Sequence, residues 1–138
     1  MAEHILVYEA PDKLPSINDT AGRHWGHTNS TKQAWQEAAH YYAVDHFGPV
    51  GPSGRHLDGR WLIKMGLPFA HRRRRDPHNY IGTVVKWTID GLVQAGVWPD
   101  DTAEYVKVTD PVLLVGSTLV AVRLVALTPD STETTQST

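Results

Sequence analysis

Apolar residues recur along this chain at two spacings, and the switches between them mark its elements. Residues 4–9, His-Ile-Leu-Val-Tyr-Glu, form a short apolar run closed by Pro11, which predicts a first strand. Arg60 to Phe69 alternates, with Trp61, Ile63, Met65 and Leu67 on one side, as a half-buried strand requires. Between them Ala34, Trp35, Ala38, Ala39, Tyr42 and Ala43 fall at helical spacing. With Thr31 as N-cap and Gly48 as the stop, they predict a helix over 31–47.

A second helix is predicted within 77–95. Ile81, Val84, Val85, Thr88, Leu92 and Ala95 share one face, Lys86, Asp90 and Gln94 share another, and Gly96 follows as the C′ residue. Residues 105–109 and 118–127 predict two last strands, paired antiparallel through a turn near Gly116. The order β-α-β-α-β-β predicts an α+β domain, a small mixed sheet covered by two helices. Its unity is set by length: 138 residues bury one sizeable core, and 1–128 is expected to be a single domain.

The rest reads as connection. Residues 15–30 form a polar loop, 48–60 carries four glycines and two prolines and reads as mobile, and the Ser/Thr-rich 129–138 is expected to be disordered. The first apolar stretch is too short for a secretion signal, no segment is long enough to span a membrane, and cysteine is absent. A cytoplasmic location is the expectation. Lack of cysteine also removes disulfides, thiolate-bound zinc and cysteine nucleophiles.

Charge changes the picture locally rather than globally. The net charge is −2, and without Asp130 and Glu133 of the tail the 13 basic residues are matched by as many acidic ones. The cations are concentrated in Arg72, Arg73, Arg74 and Arg75, which lead directly into Asp76-Pro77-His78-Asn79. Trp98-Pro99-Asp100-Asp101 follows about a helix length later. Phosphodiester hydrolysis on a nucleic acid needs cations to hold phosphates and carboxylates to hold Mg²⁺, and this stretch offers both.

Each piece also has a plainer reading. Asp76 before Pro77 is a common way to start a helix. A lone histidine such as His78 is usually a surface or capping group. Asp100-Asp101 after Pro99 reads as a turn, and Lys86 with Asp90 as an exposed i,i+4 pair. His24-Trp25-Gly26-His27 lacks a nearby acid and is a weak metal candidate, better read as a loop contact.

Taken in register, these residues resemble the RusA family of Holliday junction resolvases. The resemblance runs from Pro15-Ser-Ile-Asn18 to about Val108. It rests on the arginine-rich strand exit, on Asp76-Pro-His78-Asn79, and on Lys86-Trp-Thr-Ile-Asp90-Gly-Leu-Val-Gln-Ala-Gly96-Val-Trp-Pro-Asp100-Asp101. It implies a homodimer that cuts four-way DNA junctions with Mg²⁺. Asp76, Asp100, Asp101 and Lys86 would be catalytic, and Asp76, His78 and Asp101 the metal ligands. Arg72 to Arg75 with Asn79 would contact DNA, while Asp90 and Asn18 match family positions of less defined role. A family aspartate is replaced by His78, whose nitrogen shifts preference toward Mn²⁺. The gap from Asn79 to Lys86 is also about one helical turn longer than in the best-known member. A straight helix over 77–95 would hold Asp76 and Asp101 about 28 Å apart at 1.5 Å per residue. The two therefore meet only if the α-helix starts late, near Thr83, with 96–101 folded back, or if a second subunit completes the site. A branched-DNA-binding protein with a decayed metal site, or a hydrolase of small phosphate esters, would share much of this pattern.

Overall fold

The computed structural model describes residues 3–16, 25–72 and 74–127. It is a mixed α+β domain in which a five-stranded sheet carries two helices. The strands are β1 (Glu3–Glu9), β2 (Arg60–Phe69), β3 (Val106–Val108), β4 (Val112–Val115) and β5 (Leu119–Leu127). The helices are α1 (Trp25–Phe47) and α2 (Lys86–Gln94), the latter entered through a 3₁₀ turn at Pro77–Tyr80 and a π turn at Ile81–Val85.

Strand β2 is the spine. One edge pairs antiparallel with β5, which pairs antiparallel with β1. The other edge pairs parallel with β3 over Trp61–Ile63 and then with β4 over Gly66–Phe69. Pro111 explains the break between β3 and β4, because it has no N–H to donate to the ladder. Thr109 closes the end of β3, its backbone N–H and hydroxyl both donating to the Ile63 carbonyl at 3.3 and 2.8 Å.

The last strands correct the sequence reading. Residues 106–108 and 119–127 are not paired with each other; they lie on opposite edges of β2. Between them stands a strand, β4, that the sequence reading left unassigned. The turn at Gly116 (φ +84°) is real, but its N–H bonds to the Phe69 carbonyl at 2.7 Å and so ties β4 to β2. Helix α1 also begins at Trp25, ahead of Thr31.

Alternation decides which face is buried. Leu6 and Tyr8 of β1, Trp61, Ile63, Met65 and Leu67 of β2, and Val120, Val122 and Leu124 of β5 all point into the core. Trp35, Ala39 and Ala43 of α1 and Val84, Val85 and Leu92 of the second helical run meet them there. Thr83 and Thr88 are buried by spending their hydroxyls on carbonyls, Thr83 on Pro15 at 2.6 Å and Thr88 on Val84 at 2.7 Å. The indole N–H of Trp35 donates to the Lys13 carbonyl at 2.7 Å, which straps residues 13–15 across the helices.

Helix α2 ends as Gly96 predicts. Gly96 has φ +83°, its N–H bonds Val93 O at 2.9 Å, and the Val97 N–H bonds Leu92 O at 3.0 Å. This is a Schellman closure, with Val97 and Leu92 supplying its buried apolar contact. The glycine-rich connection 48–59 is anchored to this corner. His56 N–H and Leu57 N–H donate to the Gly96 and Val97 carbonyls at 2.8 and 3.1 Å, and the Leu57 side chain is buried. The expected mobility of 48–60 therefore does not extend to its second half. The tail 129–138 lies outside the described residues.

The two helices meet closely at Gly91. A Cβ there would stand 2.3 Å from Gln36 O and 2.7 Å from the Ala39 Cβ. Both clashing atoms, a backbone oxygen and a Cβ, are fixed by the course of the α1 backbone, so the clash cannot be relieved by a rotamer change. Gly91→Ala is expected to destabilise the fold by about 1–3 kcal/mol despite its better helix propensity, as read from urea unfolding at unchanged m-value.

Candidate functional site

Two clefts open along the helical run that follows β2. The first is built by the strand exit. Leaving β2 at Phe69, the chain carries its arginines outward and returns at Asp76, whose extended backbone (φ −96°, ψ 113°) caps the 3₁₀ turn. The Asp76 carboxylate accepts the His78 backbone N–H at 3.1 Å, with Pro77 at the first turn. Phe69, Arg74, Arg75, Asp76, Asn79 and Tyr80 line an open cleft of about 340 Å³, together with Leu14 and Ser16 of the strap. Arg75 is held twice: its guanidinium lies 4.0 Å from the Phe69 ring centroid, and Nη1 donates to the His71 carbonyl at 3.0 Å.

The second cleft lies one element further on. Lys86 opens α2, and after the Gly96 corner the chain runs back past the buried Trp98 to bring Asp101 beside it. Lys86 Nζ donates to Asp101 Oδ2 at 3.0 Å and lies 3.5 Å from Asp90 Oδ1. The other Asp90 oxygen accepts from Gln36 of α1 at 3.3 Å. Ile81, Gly82, Ile89 and Val108 complete the walls around Lys86 and Asp101. Asp100 spends one carboxylate oxygen on the Asp101 backbone N–H at 2.7 Å, which tightens the turn.

The ion pair sets the electrostatics of this cleft. The hydrogen bond from Lys86 holds the Asp101 carboxyl below its ordinary value, and the same bond raises the Lys86 ammonium above its own. Asp101 is therefore a carboxylate already neutralised by a tethered cation.

The two clefts divide the residues read from the sequence. Asp76, Arg74, Arg75 and Asn79 share the first, and Lys86 and Asp101 share the second with Asp90 behind them. Asp100 stands at the rim of the second. Arg72 is exposed beside the first, while Arg73 and Asn18 lie outside the described residues. His78 turns to Asp110, Nδ1 to Oδ1 3.3 Å, in an exposed pair. Within one chain the proposed ligands Asp76, His78 and Asp101 are thus each engaged separately. Among the described residues no three acidic or histidine side chains form a group that could hold a metal ion. Of the two alternatives, the late start near Thr83 is realised only in part: winding begins at Pro77 and becomes α-helical at Lys86, and Asp101 folds back onto Lys86 rather than onto Asp76.

Gln36 and Asp110 were not read from the sequence. Gln36 carries no motif, being one half-buried polar residue at the edge of the contact between α1 and α2. Asp110 precedes Pro111, a turn signal that says nothing about a histidine 32 positions earlier. The chain matches no protein-family model and no curated protein sequence.

The Lys86–Asp101 pair gives a signed pH dependence. A depressed Asp101 contributes stability that is present above its unfolded value, about 3.9, and is lost as pH falls through the lower folded value. A raised Lys86 contributes stability present below its unfolded value, about 10.4, and lost as pH rises through the higher folded one. Both groups are largely solvated, so Lys86→Ala is expected to cost about 1 kcal/mol or less at pH 7. The difference from the parent should vanish at acid pH, and the Asp101 carboxyl should titrate nearer its ordinary value in the variant. Urea unfolding at both pH values and side-chain NMR titration check the two parts.

Proposed function

We propose that this protein is a structure-specific endodeoxyribonuclease that cuts branched DNA, with four-way junctions as its substrate class and a two-fold dimer as its working form. One observation carries the reading. Arg74 and Arg75, just beyond β2, line a cleft with Asp76 and Asn79, and Lys86 on the helical run that follows pairs with Asp101. Cations that hold phosphates by charge, beside carboxylates that are not spent on the core, are what phosphodiester cleavage asks of a surface. The resemblance to the RusA resolvases supports the same reading from register alone.

Residue roles follow from placement. Arg72, Arg74 and Arg75 hold backbone phosphates, contacts that position DNA without reading its sequence. Lys86 is set to exchange a carboxylate partner for the phosphate whose charge grows in the transition state. Asp76 and Asp101 are the essential carboxylates. The resemblance implies Mg²⁺, with Mn²⁺ as the alternative that His78 favours. Among the described residues of one chain, Asp76, His78 and Asp101 do not come together as a ligand group. A two-fold pair of chains suits a junction that must be cut at two equivalent points. Among the described residues, no helix is long and apolar enough to cross a membrane.

A second reading has its own support. Asp76 caps a turn, His78 pairs with Asp110, and Asp101 is neutralised by Lys86. A branched-DNA-binding protein without cleavage activity would need nothing more.

Nicking of a synthetic four-way junction in Mg²⁺ and in Mn²⁺ separates the two. Asp76→Asn and Asp101→Asn are each expected to lower the cutting rate by about a hundredfold or more while leaving junction affinity intact. Cutting that survives both substitutions removes these carboxylates from the mechanism. Salt-sensitive junction binding by a parent protein that never cuts establishes the binding reading instead.

A further inference from the structure

The first cleft is built for more than a phosphate. Its volume of about 340 Å³ is far larger than a phosphate group fills and is on the scale of a whole nucleotide. Its walls are also of two kinds. Arg74 and Arg75 bring charge to its surface, whereas Phe69 and the buried Tyr80 lie behind them as a packed aromatic corner, their ring centroids 5.5 Å apart. Between these, the Arg75 guanidinium is fixed as a plane by the ring beneath it at 4.0 Å and by the His71 carbonyl at 3.0 Å.

We propose that this cleft is a subsite for a single unpaired nucleotide of DNA. The base stacks on the Arg75–Phe69 platform, and the adjoining backbone phosphate lies against Arg74. Guanidinium planes and aromatic rings stack every base, because every base has a π-face. A paired base has both faces covered by its neighbours and does not enter; an unpaired one at a branch point has already lost that stacking. The half-buried Asn79 amide makes no side-chain hydrogen bond to any described residue and offers both a donor and an acceptor to the base edge. The free oxygen of Asp76 adds an acceptor for an exocyclic amine, since its partner oxygen is taken by the His78 N–H.

This subsite rests on the reading of the protein as one that acts on branched DNA, and it deepens that reading: the enzyme would recognise the unstacked nucleotide of a branch as well as its charge. Phosphate contacts alone cannot make that distinction, since paired and unpaired strands carry the same backbone.

The test measures binding in EDTA, where no cutting occurs, so it is independent of whether the protein is a nuclease. Two duplexes with the same paired sequence are compared, one fully paired and one with a single extra, bulged 2-aminopurine, so that they differ by one phosphate only. The parent is expected to bind the bulged duplex about tenfold or more tightly, with the probe's fluorescence quenched by stacking. Arg75→Lys keeps the charge and removes the plane; it should bring the affinity ratio close to one and abolish the quench while leaving the salt dependence as it was. Arg74→Ala should weaken both duplexes alike and reduce the salt slope by about one phosphate contact. Thermal unfolding of each variant establishes that the fold is intact. A parent with no preference for the bulge overturns the proposal, as does an Arg75→Lys protein that keeps preference and quench. Loss of junction cutting in Asp101→Asn with the bulge preference retained leaves the subsite standing and concerns the nuclease reading alone.

Discussion

The arrangement depends on how closely α1 and α2 can approach, and a hydrogen atom at position 91 sets that distance. With no side chain on Gly91, the α1 backbone at Gln36 and the methyl of Ala39 lie directly against α2. Close approach lets both helices bury their small-residue faces while Trp35, Leu92, Val84 and Val85 fill the space over β2 and β5. It has a second consequence at the surface. Gln36, whose carbonyl is part of the contact, brings its side chain within hydrogen-bonding distance of Asp90, and Asp90 in turn flanks Lys86. Packing in the core thus fixes a polar relay at the rim.

The second constraint is the corner at Gly96. Positive φ there reverses the chain, and burial of Val97 and Trp98 holds the reversal against the sheet. Asp101 is carried back to the first turn of α2 as a result, where it meets a lysine fifteen residues earlier in the chain. The same corner anchors residues 56 and 57, so the glycine-rich connection before β2 is partly structured by a helix that follows it. The stretch from Pro77 to Val85 changes winding twice before α2 becomes regular, and wide π turns of this kind often mark functional surfaces. Here the change of winding separates the arginine cleft from the lysine cleft.

Much of the fold was legible from spacing. Strand β2 was bounded correctly at both ends because alternation of Trp61, Ile63, Met65 and Leu67 leaves one register available. The Gly96 stop was legible because only a residue free to take positive φ closes a helix in this way. The start of α1 at Trp25 was not, since its first turn is polar and has no apolar period to announce it. Strand β4 escaped for a related reason: Val-Leu-Leu-Val is too short and too uniform to show a period, and its partner lies more than forty residues earlier. Candidate site residues were legible as types, as with the arginines before Asp76 and the paired aspartates after Pro99.

Sequence by itself determined strands β1, β2 and β5, the buried face of β2, the Gly96 stop and the concentration of charge around residues 72–76, because these follow from local period and composition. Which of those charges meet was decided only by tertiary structure. Lys86 pairs with Asp101 because the Gly96 corner folds the chain back, His78 pairs with Asp110 because β3 and β4 line the same edge of β2, and Gln36 reaches Asp90 because Gly91 lets two helices touch. Each of these contacts joins residues far apart in the chain, and no local spacing encodes a distance that only a packed core can set.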